Sequence, residues 1–174
     1  MTAEIHRPDP SEYAAFYAGY VDQVPEGDIV ALLEHQMVAT AVLLADLTEA
    51  QGDHRYGPEK WSVKELVSHL SDAERVFSYR VLRFARGDTT ALPGFDQDPW
   101  AASSGCDRRT LVDVAEELRS VRTATLTLVR SLDAAAIGRG GIASGYPVTV
   151  RALIYIIAGH ERHHLRVLRE RYLS

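Results

Sequence analysis

Leu153, Ile157, His160, His164 and Val167 advance through the last stretch of the chain by four, three, four and three residues. That step returns a side chain to the same line of an α-helix turn after turn, and it marks a helix packed inside a bundle. It excludes a strand, where a shared face recurs at every second residue. Three other segments repeat the pattern. Ile29, Leu33, Gln36, Thr40 and Leu44 mark a helix from Asp28, its cap, to about Ala50. Leu66, His69, Ala73, Phe77 and Phe84 mark a second. It opens at Ser62, with Glu65 three residues on in the form of a capping box, and closes at Gly87–Asp88. Leu111, Val114, Leu118, Val121 and Leu132 mark a third, from about Arg109 to Ala134, and Thr149 caps the fourth, which is expected to run almost to Ser174.

Four long helices without a persuasive strand predict an all-α protein, a four-helix bundle with a short extra N-terminal helix. That extra helix runs to about Gly19, after Pro8, Pro10 and Ser11. Gln51–Lys60 and Gly138–Gly145 read as loops. The β-branched run Val148–Val150 is absorbed into the helical pattern that follows. Thr89–Asp107 is a longer, breaker-rich connection, and a segment of that length without periodicity is usually functional or a lid. Phe95 and Trp100 within it are expected to pack it down on the bundle. A chain of 174 residues suits one domain, 1–174, with its bundle core at about 28–172.

The net charge of −5 and the scattered arginines leave no basic stripe to displace counterions from phosphates, which excludes a nucleic-acid binder. No apolar run approaches the roughly 20 residues of a membrane span. A lone cysteine, Cys106, forms no intramolecular disulfide, and no apolar signal core opens the chain, so the cytoplasm is the expected address.

His160 and His164 sit where packing alone would place leucine. They are one turn apart on one face, with Cβ atoms about 6 Å apart, so both imidazoles reach a metal at about 2.0–2.1 Å. His69 holds a comparable place on the second helix and supplies a third nitrogen. Three neutral ligands leave the charge of a divalent ion undiluted and leave coordination positions open, an arrangement of catalytic type. A single histidine on an apolar stripe is more often a core residue with one hydrogen bond. Two in one seam tip the balance, because both would be buried, neutral and in need of partners. His163 points about 100° away from the pair. His6 and His54 read as surface residues, and His35 is the reserve third ligand.

His160-Glu161-Arg162-His163-His164 also spells H-E-x-x-H, in which two histidines bind zinc and the glutamate activates water. Only ten residues follow His164, and no sheet is expected upstream to hold a peptide. Glu161 as a general base therefore ranks below Glu161 as an exposed helix acid paired with nearby arginines.

The stretches Trp61–Glu74 and Gly159–Leu165 together resemble the DinB/YfiT-like superfamily of proposed metalloenzymes, over about residues 28–172. The resemblance implies an up-up-down-down bundle in which a long crossover replaces one short hairpin. It further implies a zinc or nickel ion on three histidines, here His69, His160 and His164, and a homodimer. Members with known activity include thiol-dependent isomerases and S-transferases that use mycothiol, bacillithiol or glutathione. The expectation is one divalent metal per chain in a metal-dependent thiol S-transferase acting on a small molecule. A non-catalytic, stress-linked metal-binding bundle and a metal-dependent hydrolase using the H-E-x-x-H stretch are the alternatives. Arg80, Arg83 and Arg86 either meet an anionic substrate or form a solvated basic face.

Overall fold

The long helices begin where a side chain takes up otherwise free amides. In the computed structural model, which describes residues 4–173, Asp28 accepts from the amides of Val30 and Ala31 and opens α2, Ile29–Ala45. Ser62 and Glu65 form the expected capping box at α4, Val63–Ala85. Thr110 and Asp113 form another at α6, Leu111–Arg130. Thr149 caps α8, Val150–Val167.

The connections depart from expectation more than the helices do. The N-terminal segment is two 3₁₀ turns, Pro10–Glu12 and Ala15–Tyr17, followed by the single turn α1, Ala18–Val21. The first long helix stops at Ala45 instead of near Ala50, because Thr48 and Gln51 form a capping box that starts α3, Glu49–Asp53. Buried Lys64 fastens α3 to α4 through Glu49 and Asp53, at 2.8 Å each. The crossover holds a short helix, α5, Gln97–Ser103, and α7, Ala134–Ile137, follows α6. Beyond Val167 the last helix loosens into a π turn, Leu168–Tyr172, and Ser174 lies outside the described residues.

The expected Gly138–Gly145 loop is a β-hairpin. β1, Gly140–Ala143, pairs antiparallel with β2, Tyr146–Thr149, from Gly140 opposite Thr149 to Ala143 opposite Tyr146. Ser144 and Gly145 both take positive φ at the turn, the geometry that matches strand twist in two-residue hairpins. Thr149 ends the strand and caps α8, so Val148 belongs to the sheet and Val150 to the helix. Leu92 of the crossover joins the hairpin edge: its amide donates to the Ile142 carbonyl at 2.9 Å, and its carbonyl accepts from the Ser144 amide at 3.0 Å.

The four long helices still make the body of the molecule. α4 packs on α6 and α8, and α2 packs on the same two helices. The consecutive long helices α2 and α4 are thus not packing neighbours, and the connection through α3 spans between them.

The apolar core is cut in two by a polar layer that crosses all four helices. One cluster gathers Leu33, Phe77, Val81, Leu126 and the first turns of α8. The other gathers Leu44, Leu66, Leu70, Leu118 and Leu165. Between them on each helix lie buried polar residues: Gln36 and Thr40 on α2, His69 and Glu74 on α4, Arg122 on α6, and His160 and Glu161 on α8. Spending so many core positions on polar groups costs stability unless they find partners, so the layer is where a functional site is to be sought.

Candidate metal centre

His69, His160 and His164 meet within this layer. Their ligand nitrogens all lie within 4.8 Å of one another, and the Nε2 atoms of His69 and His160 are 3.0 Å apart. Tetrahedral nitrogens at zinc distances stand about 3.3 Å from one another, so the trio fits one ion with sub-ångström adjustment. The trio contains three residues and no carboxylate or thiolate joins it among those described, so the set would leave at least one coordination position open.

Burial keeps the donors neutral. It lowers His69 to about 4 and His164 to about 3, the latter helped by the neighbouring histidines. It pushes His160 well below its ordinary value, with the other three histidines of the region adding to the effect. Unprotonated imidazole is the form that binds a metal.

Aromatic rings set the walls. Trp61, immediately before α4, lies 4.8 Å from His69 and stacks on His164 at 6.5 Å. Its carbonyl accepts from the Tyr172 hydroxyl at 2.7 Å, which ties the terminal π turn to the floor of the site. Tyr20 of α1 meets His160 edge-on at 5.3 Å and His163 at 5.4 Å. This contact depends on Gly159, because a Cβ there would stand 2.0 Å from the Tyr20 carbonyl oxygen.

Outside the trio the histidines fall as the spacing predicts. His163 is half-buried beside Tyr20, while His6, His54 and the reserve ligand His35 are exposed.

Glu161 does not fit its expected description as an exposed acid. It is 3 % exposed and lies in the opposite half of the layer. It accepts from Thr40 at 2.6 Å and Gln36 at 2.9 Å and pairs with Arg122 at 2.9 Å. Arg122 in turn grips Glu74 with two 2.8 Å bonds and donates to the Leu33 carbonyl. Burial opposes the charge of Arg122, but Glu161 and Glu74 outweigh it and raise its pKa above the ordinary value. The pattern missed this because period alone places Glu161 beside a seam and cannot say that an arginine from α6 waits there.

A cleft of about 750 Å³ leads to His69 and His160. Phe16, Tyr17, Tyr20, Phe77 and Phe95 line it, and Gly94, Asp96 and Ser144 bring the crossover and hairpin to its rim. The crossover is therefore a wall of the cleft. Arg80, expected near a substrate or in water, is 2 % exposed and does neither. It donates to the Pro93 carbonyl at 2.8 Å and Ser144 Oγ at 2.9 Å, so it rivets that wall together. Arg83 pairs with Asp88, and Arg86 is exposed.

Residues 32–168 match the DinB superfamily, and the chain belongs to that family. A comparison with curated proteins gives no match. Among solved structures, the fold is similar to that of YfiT from Bacillus subtilis, with a TM-score of 0.70 and 18 % identity over 95 % of this chain and 90 % of that one. YfiT is described as a probable metal-dependent hydrolase with an unusual four-helix bundle topology. At that identity the likeness concerns the fold, and with it the four-helix bundle read from the sequence. No helix is long and apolar enough to cross a membrane among the described residues.

Proposed function

We propose that the chain is a metal-dependent enzyme that transfers a low-molecular-weight thiol, such as mycothiol, bacillithiol or glutathione, to a small molecule. One observation carries the reading: three imidazoles, those of His69 and His160 buried and that of His164 half-buried, come together with no fourth ligand among the described residues, and an aromatic cleft reaches two of them. A divalent ion on them would supply Lewis acidity that holds a thiol as thiolate at neutral pH. The chain's own part is to keep three nitrogens unprotonated, to fix His160 and His164 one turn apart on α8, and to shield the site with Trp61 and Tyr20. A staple that merely joined helices would be expected to close its coordination shell with protein ligands.

A second reading, a metal-dependent hydrolase, draws on the description of YfiT. Its H-E-x-x-H form, with Glu161 as base, is disfavoured because Thr40, Gln36 and Arg122 already engage that carboxylate. Metal content by mass spectrometry, on tag-free protein beside His69→Ala, His160→Ala and His164→Ala, tests the centre. About one zinc or nickel per chain, lost in each variant, is the expected result, followed by thiol consumption in a screen of electrophiles. An ion retained without His69 would overturn the assignment.

A further inference from the structure

We infer that the cleft receives an aromatic substrate whose end remote from the histidines is uncharged or positive. This deepens the proposed enzymatic reading and rests on it for the meaning of "substrate".

Phe16 and Phe95 line the cleft, and rings from three separate segments gather about it. Phe16 comes from the N-terminal turns, Phe95 and Trp100 from the crossover, and Tyr146 from the hairpin. Phe16 is 58 % exposed and Tyr146 51 %, yet they meet edge-on at 5.4 Å, while Phe95 lies against Trp100 at 4.8 Å. Large rings left in water and gathered at a cavity mouth mark a surface meant to be covered. Deeper in, Tyr17 and Phe77 stand edge-to-face at 6.1 Å, a geometry that a further flat ring can extend.

The charge of the lining sets the second condition. Asp96 is the one carboxylate of the lining, and it spends only one oxygen on capping α5, at 3.2 Å to the Asp98 amide. No lysine or arginine lines the cleft. Arg80 lies behind the lining, 2 % exposed, with one guanidinium nitrogen donating to both the Pro93 carbonyl and Ser144 Oγ and its charge held over the Phe77 ring at 5.8 Å. An anionic tail entering here would lose water and meet a carboxylate, whereas an ammonium would gain both Asp96 and the faces of the rings.

The test uses the full chain and three naphthalene probes, each with a hydroxymethyl group at one end. The other end carries a methyl, an aminomethyl or a carboxylate group. Binding is read by equilibrium dialysis on the metal-free protein at pH 7.5. The methyl and aminomethyl probes are expected to bind at least tenfold more tightly than the carboxylate. Phe16→Ser should weaken both several-fold, and Asp96→Asn should remove the advantage of the amine over the methyl probe. Equal binding of all three probes, or of none, overturns the inference. Zinc loading of the same protein, measured in parallel, reports on the metal centre alone, so failure of one reading is not mistaken for failure of the other.

Discussion

His160 and Glu161 are adjacent in the chain and belong to opposite halves of one polar layer. The half around His160 is neutral, walled by aromatic rings and open to a cleft. The half around Glu161 is ionic and sealed, with each carboxylate oxygen of Glu161 matched to a donor. The first half turns its imidazoles toward one another, with the Nε2 atoms of His69 and His160 3.0 Å apart, beside a cleft that could admit a ligand. The second engages both oxygens of its glutamate and leaves Gln36 Oε1 unpartnered, as befits a device that locks helices in register. Buried charge survives in a core only when paired.

That contrast can be broken most severely at Arg122. Arg122→Leu would strand Glu74 and Glu161 in the core, and the expected loss is about 3–5 kcal/mol by chemical denaturation. A loss below about 1 kcal/mol would show that water reaches the network and that it is not sealed. Glu161→Gln can still accept from Gln36 and Arg122 through its one oxygen, turns an amide toward Thr40, whose hydroxyl must then accept, and gives up one charge. It should cost about 1–3 kcal/mol while the metal content stays at the wild-type value. Loss of metal with stability unchanged would instead join the two halves into one site.

Acid should act on the neutral half. The trio's pKa values in the folded chain lie below the ordinary 6.5, so beneath that pH the unfolded chain takes up protons that the folded one refuses. Stability of the metal-free protein is therefore full above pH 6.5 and falls as pH drops below it, down to about 4 for His69 and about 3 for His164. For His69 the slope approaches about 1.4 kcal/mol per pH unit. Denaturation midpoints at pH 7.5 and 5 check this, and equal midpoints would mean that water already solvates the histidines. The smallest effect is expected outside the layer. Arg119→Ala, which removes an exposed pair with Glu116, should change stability by no more than about 0.5 kcal/mol.

Much of this molecule was legible in its letters. Asp28, Ser62 and Thr149 open helices because short side chains capture amides in the next turn, an interaction closed within four residues. His160 and His164 share a face because of helical pitch alone. The hairpin had a signal, Ser144-Gly145 at a two-residue turn, but strands of four residues are too short to show alternation.

What the sequence by itself determined is therefore the local physics: the four long helices, most of their caps, and the pairing of two histidines one turn apart. Tertiary structure decided that His69 from 91 residues away meets them. It also decided that Arg122 and not water receives Glu161, and that Arg80 holds a wall instead of greeting a substrate. Helical period says which residues share a face. It carries no information about which distant side chain that face will meet, and burial, charge pairing and the shape of the cleft all arise from that meeting.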